Sequence, residues 1–355
     1  MPSLYIGGSE RVIVHLVRNL SRTVFDINLL VLNKQGELLS ELPSDISIQY
    51  FYFKRTIFSI FRIFSLLRKR QPDIVFTTLG QLNLLASIIR PFINKRVIFV
   101  ARESSIVSLR NKDDKYPAIF RFLLRYFYFR LDFIVSQSNA MKMDLITHTK
   151  IPSEKIFVIH NPIDIAQLKK AAPVKKWNTE NRALLSIGQL RPEKGYERLI
   201  RAISGLKCSY AYHIIGGGDL EKNLRSLVKQ LALTDNVKFL GAISNPYGYL
   251  QNADCLLLGS YYEGFPNVVI EANALGVPVV AWASPGGHNE IIINGFNGWL
   301  VNNEDELVSI IENKRYLNLD SHKIISHTIL KYDIRKVIGE YEKLFLNLRE
   351  NLGVN

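Results

Sequence analysis

The chain has 355 residues, enough for about two domains. Hydrophobic residues make up 47% and charged residues 22%, which excludes a disordered or fibrous protein. The two cysteines, Cys208 and Cys255, stand at no metal or redox spacing, excluding a disulfide framework and fitting a reduced compartment. No uncharged apolar run reaches the ~18 residues of a transmembrane helix, and no cleavable signal peptide is visible. The formal charge of +13 is uneven: residues 1–163 hold 23 Lys+Arg against 12 Asp+Glu, a balance of +11, and the rest carries only +2. Such asymmetry predicts an anionic partner for the N-terminal half.

In chain order, the opening "MPSLYIGGSERVIVHLVRNL" reads as a tight loop at Gly7-Gly8, an N-cap at Ser9 and a helix. In a doubly wound sheet that loop follows a central first strand. Here no strand precedes it, and the expectation is a translation start upstream of Met1 or a truncated gene. Short β-branched runs then alternate with helical patterns. Strands are predicted over residues 25–32, 46–53, 73–78, 96–101, 132–136 and 155–159. After "HNPID" comes a polar, Lys-rich stretch to about Arg182, and the alternation restarts with strands at 183–187, 210–215, 237–240, 253–258, 278–281 and 298–301. Strands separated by helices predict parallel sheets covered on both faces. Two such series predict two doubly wound domains, over 1–165 and 166–330, followed by a C-terminal helix over 331–355. The cleft between them is the default ligand site.

Two first-half stretches are both basic and aromatic. In "KRTIFSIFRIFSLLRKRQ", Arg55, Arg62 and Lys69 recur every seven residues on one helix face, with Ile57, Ile60, Phe61, Phe64 and Leu67 on the other. "IFRFLLRYFYFRLDF" places Arg121 and Arg125 one turn apart. The expectation is that the apolar faces pack on the sheet and that the basic edges meet an anionic membrane surface.

The second half carries the chemistry. "YYEGFPNVVIEANALGVPVVAW" sets Glu263 and Glu271 eight residues apart around the start of a helix, with Pro266 suited to its first turn and Gly276 to its end. A helix N-terminus offers free N–H groups to a diphosphate, while carboxylates either side suit hydroxyls. "GQLRPEKG" offers Arg191 and Lys194 after a strand, where cations neutralise a departing diphosphate. "HIIGGGDLEKNL" adds Gly216 and Gly218 in a strand–turn–helix, and "SPGGHNEIIINGFNGWLV" another glycine-rich loop.

With these motifs in this order, the chain resembles the family 4 retaining glycosyltransferases of the GT-B fold. The resemblance spans nearly the whole chain and is most specific at Glu263-x7-Glu271 with its flanks. It implies an α/β architecture of two doubly wound Rossmann-like domains facing a cleft, with the first strand of the N-terminal domain missing here: an acceptor-binding domain over 1–165, a nucleotide-sugar-binding domain over 166–330, and a C-terminal helix over 331–355 packing back toward the first. It implies that Glu263 contacts the donor sugar at the reaction centre, and that Glu271 binds the nucleotide's ribose. Arg191 and Lys194 would hold the diphosphate. Backbone at Phe265, Pro266 and Asn267 would bind sugar and phosphate, and Gly7 and Gly8 would close over the diphosphate. No cofactor or metal is implied: the donor is a nucleotide-diphosphate sugar, with a UDP-sugar favoured. The chain departs from the pattern at "ARESS", where relatives often carry a His and this one has Arg102 and Glu103.

The function expected is a metal-independent, retaining transfer of a hexose or N-acetylhexosamine to an acceptor hydroxyl. The acceptor expected is a polyprenyl-diphosphate-linked saccharide in surface polysaccharide or glycoconjugate assembly. That places the protein in the cytoplasm, peripheral on the inner face of the cell membrane, with no nucleic acid as partner. The alternatives are an inactive nucleotide-sugar-binding partner subunit or a nucleotide-sugar epimerase.

Overall fold

A computed structural model of the chain describes residues 1–53, 56–110, 117–170, 177 and 181–350. Contacts divide it into two units, Met1–Pro162 with the chain from Ile334 on, and Ile163–Asp333.

The first unit runs α1 (Gly8–Asn19), β1 (Asn28–Val31), β2 (Ser47–Tyr50), α2 (Ile60–Arg70), β3 (Ile74–Thr78), α3 (Gly80–Ile89), β4 (Ile98–Arg102), α4 (Val107–Arg110), α5 (Pro117–Phe127), β5 (Phe133–Ser136), α6 (Asn139–His148) and β6 (Ile156–Val158). β1 and β2 pair in parallel, and β3 to β6 form a parallel sheet in chain order. Such strands are buried on both faces, hence the unbroken apolar run "IFVA" in β4. One core gathers α1, β1 and the final helix, while α2, α3 and α5 contribute to another. Ahead of α1 the backbone runs beside β1: the Met1 amine donates to Leu30 O at 2.7 Å and Leu32 N–H to Met1 O at 2.8 Å, and Leu4 is wholly buried. The cap of α1 is Gly7 rather than Ser9, which lies inside the helix.

The second unit runs α7 (Ile165–Lys169), β7 (Arg182–Ile187), α8 (Tyr196–Ser204), β8 (Tyr210–Ile215), α9 (Glu221–Gln230), β9 (Val237–Gly241), α10 (Tyr247–Gln251), β10 (Cys255–Leu258), α11 (Asn267–Ala274), β11 (Val279–Trp282), α12 (His288–Ile291), β12 (Gly298–Val301), α13 (Glu304–Glu312) and α14 (Ser321–Tyr332). Its six strands are parallel in the order β12-β11-β10-β7-β8-β9. The order reverses between β7 and β10, which are neighbours in space but not in sequence. That is the topological switch point, where loops at the carboxyl ends of the strands diverge and ligands bind.

The chain then returns to the first unit as α15 (Ile334–Glu350). Tyr341 and Phe345 stack edge-on against Phe76 of β3, at 5.9 and 5.5 Å between ring centroids. Each predicted strand falls on an observed one, with ends shifted by up to three residues.

Candidate active site

The site grows from the switch point. β7 exits through Gly188–Leu190, and the buried Leu190 pins that loop by donating its N–H to Gly217 O at 3.0 Å. A single 3-10 turn, Pro192–Lys194, then leads into α8. β10 exits through Gly259–Glu263 beside it. Because β7 and β10 are adjacent, Lys194 meets Glu263: its Nζ donates to Oε1 at 2.7 Å. Ser260 Oγ donates to the same oxygen at 2.6 Å. Among the described residues no donor reaches Oε2. The Glu263 side chain is 10% exposed, so its charge is balanced by Lys194 in a partly desolvated place, where such pairing counts for more than in water.

The loop that carries Glu263 is held from several sides. Arg198 of α8 donates Nε to Gly259 O at 2.5 Å and Nη2 to Ser260 O. Its guanidinium lies 4.3 Å from the Tyr261 ring centre and 4.7 Å from that of Trp282, and burial lowers its pKa. Ser284 Oγ donates to Ser260 O at 2.8 Å and lies 3.1 Å from His288 Nε2. His288 is wholly buried, and burial holds its pKa down, which favours the neutral imidazole. Tyr196, buried near Glu263, has its phenol pKa pushed up by burial and donates to Gly188 O at 3.0 Å.

Two glycines are required by close approach. Gly286 has φ +146°, and a Cβ there would lie 2.0 Å from Glu263 O. The two strands of chain are laced by Glu263 N–H to Pro285 O and Gly287 N–H to Gly264 O. Gly216 has φ +147°, and its Cβ would lie 1.8 Å from Gly188 O. The glycines after β8 thus let neighbouring loops pack on one another, and Gly218 likewise lies against Leu190 O.

α11 starts one residue later than the sequence suggests, with Pro266 as its N-cap and Asn267 first. Glu271, one turn in, accepts from Tyr247 OH at 3.3 Å. Phe265 is buried and packs edge-on against Tyr332, with ring centroids 5.6 Å apart. Arg191 caps the 3-10 turn that carries Lys194 and is exposed. Glu263, Lys194, Arg191, Gly216, Gly218 and the head of α11 thus belong to one unit, on loops at the carboxyl ends of its strands. Gly7 and Gly8 belong to the first unit, where they open α1.

Arg102 and Glu103 occupy a buried network rather than an open loop. Arg102 Nη2 donates to Asn161 Oδ1 at 2.5 Å, and Asn83 Nδ2 donates to Glu103 Oε1 at 2.7 Å. Tyr128 OH also donates to Glu103, and Gln137 Nε2 to its carbonyl at 2.9 Å. Both charged side chains are shielded from solvent and hydrogen-bonded by uncharged partners, while the buried Arg102 Nε has no hydrogen-bond partner.

Two family models tile the chain. Glycosyltransferase Family 4 matches residues 6–167, and Glycosyl transferases group 1 matches residues 169–316. The chain belongs to the family 4 glycosyltransferases, with the GT-B fold. It is 28% identical over 315 residues to an N-acetylgalactosamine-N,N'-diacetylbacillosaminyl-diphospho-undecaprenol 4-alpha-N-acetylgalactosaminyltransferase of Campylobacter jejuni, covering 86% of this chain and 85% of that one. It is 27% identical to an uncharacterized glycosyltransferase of Haemophilus influenzae, over 95% of each chain. Among solved structures, Anabaena HepE in complex with UDP-glucose matches with a TM-score of 0.79 at 19% identity, over 98% of each chain. The lipopolysaccharide outer core galactosyltransferase WaaB matches with a TM-score of 0.75 at 19% identity, over 97% of this chain and 98% of that one.

Sequence reasoning missed Arg198, Ser260, Ser284 and His288. Ser260 carries a signal in retrospect, standing three residues before Glu263 at the end of a strand. Arg198 carries none, since "YERLI" reads as an ordinary amphipathic helix.

Proposed function

We propose that the protein transfers a hexose or N-acetylhexosamine from a nucleotide-diphosphate sugar, a UDP-sugar by preference, to the hydroxyl of a polyprenyl-diphosphate-linked saccharide, with retention and without a metal. The observation that carries this reading is the Lys194–Glu263 pair, fixed at the switch point just before the head of α11. A donor diphosphate at that helix end would draw Lys194 and Arg191 toward its oxygens, neutralising the leaving group. Glu263 would then be released to accept from a sugar hydroxyl, and Glu271 would grip the ribose. The backbone N–H groups of Phe265 and Asn267 would supply donors to the sugar and phosphate, while Pro266, which has no N–H, would fix the turn between them. These side chains offer two cations and a helix end to the charge that builds on the leaving diphosphate, the role a metal fills in other transferases.

The acceptor class is supported by the Campylobacter jejuni relative, whose name specifies a diphospho-undecaprenol-linked acceptor, and the donor class by the UDP-glucose bound to Anabaena HepE. Such an acceptor would place the work in surface polysaccharide or glycoconjugate assembly, on the cytoplasmic face of the membrane.

A thermal-shift panel of UDP-, GDP-, ADP- and dTDP-sugars tests the donor. A ligand at about 100 times its Kd stabilises by about 2.7 kcal/mol, enough to select one nucleotide. Transfer to a polyprenyl-diphosphate saccharide in the presence of EDTA, with the product anomer assigned by NMR, tests the rest. An inverted product, or activity lost to EDTA and restored by a divalent ion, would overturn the mechanism.

A further inference from the structure

The surface of α2 and α5 departs from what their sequences suggest. In α2 the buried line runs along Ile63 and Leu67, and Phe61, expected to face the core, is 82% exposed. Phe58 and Ile57, in the turn just before it, are 62% and 56% exposed. In α5 and the turn that follows, Leu124 and Tyr128 are buried, while Ile119, Phe122, Tyr126 and Phe129 are all exposed. Those four recur at spacings of three, four and three, which is one helix face. α5 is therefore apolar on both sides, a pattern that in a stable protein calls for an apolar environment outside it. α3, largely buried, contacts both α2 and α5, so the two helices that carry the exposed rows share one neighbour.

The charge around these rows is one-sided. Residues 51–130 contain sixteen Lys and Arg against four Asp and Glu, close to the excess of the entire chain. Lys150 Nζ lies 5.1 Å from the Tyr126 ring centre, and the Arg130 guanidinium 5.8 Å from that of Phe129. Arg62, Arg68, Lys69 and Arg125 are exposed on the same helices. Arg55 and the side chain of Arg121 lie outside the described residues. No helix of the described residues is long and apolar enough to cross a membrane.

We propose that this face is a monotopic membrane anchor: Phe58, Phe61, Phe122 and Tyr126 enter the boundary between headgroups and acyl chains of an anionic bilayer, with the surrounding Arg and Lys on lipid phosphates. Aromatic and aliphatic side chains ringed by long cations fit that boundary, where the stems lie along apolar surface and the charges reach phosphate. A second copy of the same face would bring like charge against like charge. The proposal deepens the membrane partner of the proposed function and changes its physics. Binding held only by basic edges is lost in high salt, whereas insertion persists.

The full chain is sedimented with phosphatidylcholine vesicles containing phosphatidylglycerol, in low salt and in about 1 M NaCl, where the Debye length is about 3 Å. The expected result is binding in both. The Phe61→Ser/Phe122→Ser variant is expected to lose about tenfold or more of its partition per residue, as exposing a Phe implies, and to release fully in high salt. Its melting temperature and its shift with nucleotide-sugar report that it is folded. Complete release of the parent protein in high salt, or equal partition of the variant, would overturn the proposal. So would a dimer that dissociates in the variant, which assigns the face to a second copy, or an oligonucleotide that requires the same two residues while vesicles do not bind. The vesicle assay uses neither donor nor acceptor, so a failure of the glycosyl-transfer reading shows separately, as the absence of any nucleotide-sugar shift.

Discussion

Lys194 and Glu263 stand 69 residues apart in the chain and 2.7 Å apart in space, because the strands that precede them are neighbours at the one place where the sheet reverses its order. The pair is a product of topology rather than of local sequence. In the proposed reaction its members take opposite jobs, one to hold phosphate and the other to hold sugar.

Glu263→Gln keeps the size of the side chain and its acceptor oxygen but removes the charge. Turnover is expected to fall about 100- to 1000-fold, the range for losing one preorganised electrostatic contact. Nucleotide affinity is expected to hold. Glu271→Ala is expected to do the reverse, weakening nucleotide binding about 10- to 100-fold, the worth of a hydrogen bond to a charged group. Calorimetry with the nucleotide and steady-state rates on both variants make the comparison. Matching behaviour of the two would mean that the carboxylates do not have separate roles.

Arg198→Lys leaves a cation on α8 but offers no planar fork to reach Gly259 O and Ser260 O together while staying close to the Tyr261 and Trp282 rings. The loop bearing Glu263 is then free to shift. A displacement of about 1 Å is enough to cost about 100-fold in rate. The expected outcome is a loss in kcat with little change in KM. If only the melting temperature moves, Arg198 is a stabilising residue and no more.

His213 and His288 both have pKa values held below 6.5 by burial. Each is therefore neutral in the folded unit at a pH where the unfolded chain already binds a proton. Their contribution to stability is complete above about pH 6.5 and is lost as pH falls below it. Urea midpoints measured from neutral pH down to about pH 5 should decline, and a His213→Gln/His288→Gln variant should decline less steeply.

Gly286→Ala would set a methyl group 2.0 Å from Glu263 O at φ +146°, a conformation closed to ordinary side chains. Strain of this kind costs about 1–3 kcal/mol, and here the backbone that yields is that of Glu263. Reduced stability to urea and reduced turnover are expected together. Full activity in this variant would show that the contact between the two loops is dispensable.

Much of this was legible in the residues. β-branched runs such as "AYHII" mark parallel strands wherever both faces are buried, and the Glu263-x7-Glu271 pattern marks the head of α11. What escaped reading has physical causes. In α5 both sides are apolar, and periodicity cannot say which side meets the core. Arg102 and Glu103 look like surface charges, but they are buried, with hydrogen-bond partners from α3 and from the chain just after β5 and after β6. Arg198 acts through backbone carbonyls, which have no identity in a sequence.

The return of α15 to the first unit has a consequence for synthesis. The first unit is translated before the second, yet Tyr341 and Phe345, which complete its core, are translated only after the whole of the second unit. The nascent first unit must therefore wait, with apolar surface on α1 and β3 uncovered, while the second unit is made and can fold as a self-contained insert. A chaperone that shields α1 during that interval would act on this protein at a predictable moment. A chain stopped at Asp333 would be a substrate for proteolysis, although every residue of the Glu263 site would be present in it.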